Sequence, residues 1–209
     1  QTASVCLDPA QEADAVRAFC HRLKAQSGGR RAARIPAMPK TVVRESLGSL
    51  KVTFEQMPIG IRYRDLEPVC LNLVKAGTQQ VLSMDRRELY PVAEGMAELI
   101  RKETDWELYV FDPAGTMAVE GIDRDHYITD KPEEAVAKLF GTAVERHNEW
   151  KLTGGSVSGD MAMEPAFVIF AGLAQIRKLL SKDGADKLRL ILEKSRGAFG
   201  MSCWAMDDY

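Results

Sequence analysis

Apolar positions recur along this chain with two periods, and the alternation between them sets its organisation. Ala13, Val16, Phe19, Cys20 and Leu23 recur every three or four residues. That spacing predicts a first helix opened by Asp8-Pro9-Ala10-Gln11, where Asp8 caps, Pro9 takes the first turn and Gln11 closes a capping box. The helix stops at Ser27-Gly28-Gly29, and Arg30 to Arg34 reads as a solvated basic linker. Ile35-Pro36-Ala37-Met38-Pro39 is an extended lead-in, because each proline biases its predecessor toward extended geometry. Beyond it, short apolar runs alternate with helical segments. Met57 to Ile61 and Glu67 to Leu73 read as two short strands or a hairpin, and Thr78 to Ser83 as a strand. Leu89 to Lys102 has helical spacing through Leu89, Val92, Ala93, Met96, Leu99 and Ile100.

The second half continues in the same way. Glu107 to Phe111 is a buried strand stopped by Asp112-Pro113. Asp130 is expected to cap a long helix carrying Val136, Leu139, Phe140, Ala143, Val144 and His147. Thr153 to Gly159 is a glycine-rich loop, and Pro165 to Phe170 a buried strand. Leu173 to Lys194 is helical with a break expected near Asp183-Gly184, and Phe199 to Ala205 is a last strand. Apolar strands alternating with helices predict an α/β fold around a largely parallel sheet. Met206-Asp207-Asp208-Tyr209 then falls on the ligand side of such a sheet, so the reading expects a fold truncated at its C-terminus, in a piece of a longer protein.

Composition narrows the function. The chain has 209 residues, 45 % hydrophobic and 28 % charged, which is enough apolar surface for a folded core. A net charge of −2 gives no global field for nucleic acid or an anionic membrane. No apolar run approaches the roughly 18 residues of a membrane span. Cys6, Cys20, Cys70 and Cys203 form no CxxC pair, and His21, His126 and His147 are scattered. That pattern predicts free thiols and no metal site. There is no G-x-S-x-G elbow, the loop around Gly154-Gly155 lacks a lysine, and Trp106, Trp150 and Trp204 are expected to pack.

In an α/β fold the ligand sits beyond the carboxyl ends of the strands, often on a helix N-terminus. The turn after Val81-Leu82 is the candidate. A phosphate loop there requires G-x-x-x-x-G-K-[ST]. The residues present are Ser83, Met84, Asp85, Arg86, Arg87, Glu88, Leu89 and Tyr90. Ser83 and Glu88 take the glycine places, Leu89 the lysine and Tyr90 the hydroxyl. The lysine charge is gone, and Glu88 adds a carboxylate where anions would sit. The acid that holds magnesium is also missing, since Phe170, Ala171 and Gly172 end the buried strand. Asp112 is the one acid at a strand end, and it reads as a turn residue. No catalytic residue, cofactor or metal is therefore expected. The alternative is a divergent enzyme that holds ATP and magnesium through Arg86 or Arg87 and Asp112.

The order of motifs resembles an FtsK/SpoIIIE-type ATPase module. The entry segments Ile35 to Pro39, Met57 to Ile61 and Leu66 to Leu73 are similar to that family's, and Val110-Phe111-Asp112-Pro113-Ala114-Gly115 resembles its Asp-Pro-Lys-Gly strand end, with Ala114 for the lysine. Glu145-Arg146 and Ser195 to Gly200 resemble two further motifs. A framework kept around a degraded phosphate loop (Ser83 to Tyr90) and a degraded Walker B strand (Phe170, Ala171) resembles the C-terminal module of EssC/EccC coupling proteins of type VII secretion. The resemblance implies a RecA-like P-loop fold over residues 35–209, with residues 1–34 a helix and linker from a preceding module. It implies a non-catalytic module in the cytoplasmic part of a membrane-anchored, hexameric parent. Its partners would be a WXG-type secretion substrate and neighbouring ATPase modules, with no nucleic acid and no direct membrane contact. A DNA translocase module is the remaining alternative.

Overall fold

A computed structural model describes residues 9–28, 37–123, 126–152, 165–195 and 200–208. The chain divides into two compact units, Gln1–Met38 with Tyr63–Leu66, and Pro39–Arg62 with Glu67–Tyr209. In the first unit, α1 spans Pro9–Gln26, close to the predicted span, and exposes Val16, Phe19 and Leu23. The basic linker at 30–34, the loop at 153–159 and the 196–199 part of the Ser195 to Gly200 motif lie outside the described residues.

The second unit opens with a 3-10 turn at Arg44–Leu47 and an antiparallel hairpin, β1 (Met57–Ile61) with β2 (Pro68–Leu71). A one-turn helix, α2 (Leu73–Ala76), follows, capped by the Asn72 side chain. The main sheet contains β3 (Thr78–Ser83), β4 (Glu107–Phe111), β5 (Tyr127–Ile128), β6 (Ala166–Ala171) and β7 (Met201–Asp208). Its order is β3-β7-β6-β4-β5 and every pairing is parallel, as the alternation predicted. β7 therefore inserts between β3 and β6.

The strands alternate their side chains between two apolar layers. On one face, α3 (Arg86–Glu103) lays Leu89, Ala93, Met96, Ala97 and Ile100 against Val110, Phe167, Ile169, Trp204 and Met206, joined by Val52, Phe54 and Met57. On the other, α4 (Pro132–Leu152), α5 (Leu173–Leu179) and α6 (Lys182–Lys194) cover Tyr109, Phe111, Val168, Phe170 and Cys203. Burial on both faces explains why β6 reads as a continuous apolar run.

Several boundaries differ from the pattern. The α5–α6 break falls at Leu180-Ser181, not Asp183-Gly184, because the Ser181 hydroxyl accepts the Gly184 N–H at 3.1 Å and starts α6 there. Asp130 does not cap α4. Pro132 is the first helical residue and Lys131 stands at the cap position with φ 47°. α3 begins at Arg86 rather than Leu89, and β7 runs on to Asp208, so the terminal acids are in a strand rather than a loop. β5, only two residues long, carries no periodicity to read.

Candidate site at the carboxyl ends of the strands

A parallel sheet brings the C-terminal ends of its strands to one edge. Here that edge gathers Ser83, Asp112, Ala171 and Asp207, with Ser83 in register with Asp208 and Ala171 with Met206.

The turn from β3 to α3 is closed on itself. Asp85 is the N-cap and accepts the Arg87 N–H on Oδ1 at 2.9 Å. The Arg87 guanidinium grips the same carboxylate, with Nε 3.1 and 3.0 Å from the two oxygens and Nη2 2.7 Å from Oδ2. Hydrogen bonds from that guanidinium, then from the Arg87 N–H, hold the Asp85 carboxyl below the usual range. The Glu88 N–H donates to the Asp85 carbonyl at 3.0 Å. The Glu88 carboxylate accepts the Ser83 hydroxyl at 2.6 Å, and Ser83 Oγ accepts the Asp85 N–H at 3.2 Å. Two of the amides that an anion at this helix N-terminus would use are thus bonded within the turn. Leu89, where a phosphate loop has lysine, is 5 % exposed and points into the core. Tyr90 packs against the same layer, while Met84 is 86 % exposed at the crest.

The end of β6 is apolar and closed. Phe170 and Ala171 are buried, and Gly172 takes φ 88° to turn the chain into α5. Sequence reasoning did not single out Asp207. Its two carboxylate oxygens accept the Ala174 N–H at 3.2 and 3.0 Å, so β7 supplies the acid that meets the start of α5. The only sequence signal was an acid following the last apolar run.

Asp112 is fully buried at the end of β4 and accepts four donors. They are the N–H groups of Ala114 (3.2 Å), Thr116 (2.8 Å) and Met117 (2.9 Å), and the Tyr127 hydroxyl (2.9 Å). This is the turn role its position predicted. Burial first, then the bond to Asp112, raises the Tyr127 phenol. Asp112, Asp207 and Asp85 each serve a different strand end. Among the described residues no cluster of three or more His, Cys, Asp or Glu is placed to hold a metal ion.

The three tryptophans pack, as expected. His147 stacks on Trp150 at 5.9 Å, Trp106 meets Phe54 edge-on, and Trp204 lies against Phe167. The Arg146 guanidinium of the Glu145-Arg146 motif is nearly buried and donates to Glu107 at 2.8 Å, fixing α4 to the start of β4.

No protein-family model and no curated protein matches the sequence. Solved structures do match its shape. The cytoplasmic domain of EssC superposes with a TM-score of 0.64 over 98 % of this chain at 14 % identity. The chain has the fold of the EssC and EccC ATPase modules. Thermomonospora curvata EccC (ATPases 2 and 3), in complex with a signal sequence peptide, superposes with a TM-score of 0.64 over 86 % of the chain at 15 % identity. The conjugation coupling protein TcpA, solved as a monomer with ATPγS, reaches 0.57 over 92 % at 11 % identity. The chain spans 42 % of the EssC chain and 34 % of the EccC chain, so this EssC/EccC-type fold corresponds to part of those proteins. Among the described residues no helix is long and apolar enough to cross a membrane.

Proposed function

We propose that this chain is a non-catalytic pseudo-ATPase module of a membrane-anchored type VII secretion ATPase, and that it acts in substrate recruitment and docking to neighbouring modules. The observation that carries the reading is Asp85. Its carboxylate lies on the N-terminus of α3, where a working module of this fold would hold phosphate. The residues present do not fit a magnesium-bound nucleotide. An anion arriving there meets Asp85 and Glu88 and finds Leu89 turned into the core instead of a lysine, and a magnesium ion would find no acid at the end of β6. A scaffold kept without its phosphate chemistry is free to serve as a binding surface.

Recruitment is supported by the fold shared with EccC, whose solved complex contains a signal sequence peptide. The partner is a WXG-type secretion substrate, and the parent protein is a homo-hexamer of tandem modules. The test is an affinity measurement between this chain and cognate WXG substrates or adjacent modules. Saturable binding of one of them upholds the reading. No binding to any of them overturns the recruitment and docking role.

A further inference from the structure

We infer that α1 is a docking surface for α1 of a second copy of this chain, with the two helices packed antiparallel. The inference goes beyond the recruitment role proposed above and does not depend on it. Every residue from Gln11 to Gln26 is exposed, and Val16, Phe19 and Leu23 are 54 %, 56 % and 48 % exposed. At about 100° of turn per residue, Ala13, Val16, Cys20 and Leu23 line up as one stripe, with Phe19 on its edge. An apolar stripe along an exposed helix is covered best by the same stripe of another helix.

The charges select the second copy and its direction. The N-terminal half of α1 carries Glu12 and Asp14, and the C-terminal half carries Arg22 and Lys24. Glu12 mirrors Lys24 about Ala18, and Asp14 mirrors Arg22. A two-fold axis at the level of Ala18 therefore brings each acid level with a base of the other copy. The same axis sets Ala13 level with Leu23, sets Val16 level with Cys20 and places the two Phe19 rings side by side. Arg17 flanks the other edge of the stripe, where Asp14 of its own helix answers it at 3.9 Å. Glu12, Arg22 and Lys24 make no ion pair among the described residues. Parallel alignment would set Glu12 against Glu12 and Lys24 against Lys24, with the helix dipoles opposed to it as well. The pattern is thus its own complement, and a homo-hexamer admits it as three two-fold pairs.

The test is sedimentation velocity on the intact chain from micromolar to submillimolar concentration, in reductant so that the exposed Cys20 forms no disulfide. A concentration-dependent dimer is expected. Phe19→Glu sets two carboxylates side by side and is expected to weaken it by at least about tenfold, with the melting temperature of the dilute chain unchanged. Glu12→Lys and Lys24→Glu are each expected to weaken it about fivefold. The double variant restores opposite charges at each level and is expected to recover the parent's association. A chain that stays monomeric throughout overturns the inference. So does a dimer indifferent to Phe19→Glu, or one that the double charge swap does not rescue. A monomer whose Phe19 face binds an adjacent module also overturns it. A cognate WXG substrate is expected to bind Phe19→Glu and the parent chain alike, so the recruitment reading stands or falls separately.

Discussion

Asp85 holds Arg87 twice, by the backbone N–H at 2.9 Å and through the guanidinium at 2.7 to 3.1 Å. One carboxylate therefore caps α3 and carries its own counter-cation. Replacing it removes the cap and releases the exposed Arg87 guanidinium together. Asp85→Ala is expected to lower stability by about 1 kcal/mol in urea denaturation, the usual value of an N-cap. A change within a few tenths of a kcal/mol would show that the turn does not depend on this carboxylate.

Leu89 decides whether the phosphate loop is repairable. Leu89→Lys restores the residue type that a phosphate loop needs, but it places an ammonium in the layer formed by Ala93, Val110 and Met206. The variant is expected to lose roughly 2–4 kcal/mol in chemical denaturation. It is also expected to gain no nucleotide affinity. A stable variant that binds ATP would place position 89 at a ligand.

The Asp112 turn depends on the Tyr127 hydroxyl. Tyr127→Phe removes one donor from a buried carboxylate that keeps its three backbone N–H partners. The expected cost is about 1–3 kcal/mol. Hydrogen exchange at the Thr116 and Met117 amides is expected to quicken with it.

Glu133 ties α4 to the start of α6 and gives a pH signature. Its carboxylate accepts the Ser181 hydroxyl at 2.6 Å and the Ser181 N–H at 2.8 Å. These bonds, the hydroxyl first, hold its folded-state value below the ordinary 4.5. Its contribution is therefore complete above that ordinary value and is lost as pH falls through the lowered one. Glu133→Gln is expected to reduce stability at neutral pH, with the gap to the parent narrowing on acidification below 4.5. A gap that widens in acid would contradict this. Gly184 faces the same carboxylate so closely that a Cβ there would collide with it. Gly184→Ala is therefore expected to push the Glu133 carboxylate off Ser181 and abolish this pH signature.

β4 and β6 were legible because burial on both faces writes them as continuous apolar runs, whereas the edge strand β3 is part-exposed and was marked by its short Val81-Leu82 run. β3 and β4 fall where the pattern put them, and β6 is displaced by one residue. What the pattern missed depends on contacts distant in sequence or on single side chains. β5 exists because β4 offers it an edge, pairing Val110 with Tyr127 and Phe111 with Ile128. The helix break sits at Ser181 because a hydroxyl cap, with Glu133 bonded to it, outweighs the glycine three residues on. At the site, the loss of the phosphate-loop lysine could be read directly at Leu89. That Asp85 would fill the helix N-terminus, and that Asp207 would cross from β7 to α5, required the folded arrangement.

Calorimetric titration of magnesium-ATP into this chain, at millimolar nucleotide, tests the central claim most directly. The account predicts no binding heat beyond dilution and no rise in melting temperature. Saturable binding would contradict it. At 100 times the dissociation constant, ATP would then add about 2.7 kcal/mol of stability, and the Ser83 to Tyr90 turn would have to open to admit phosphate.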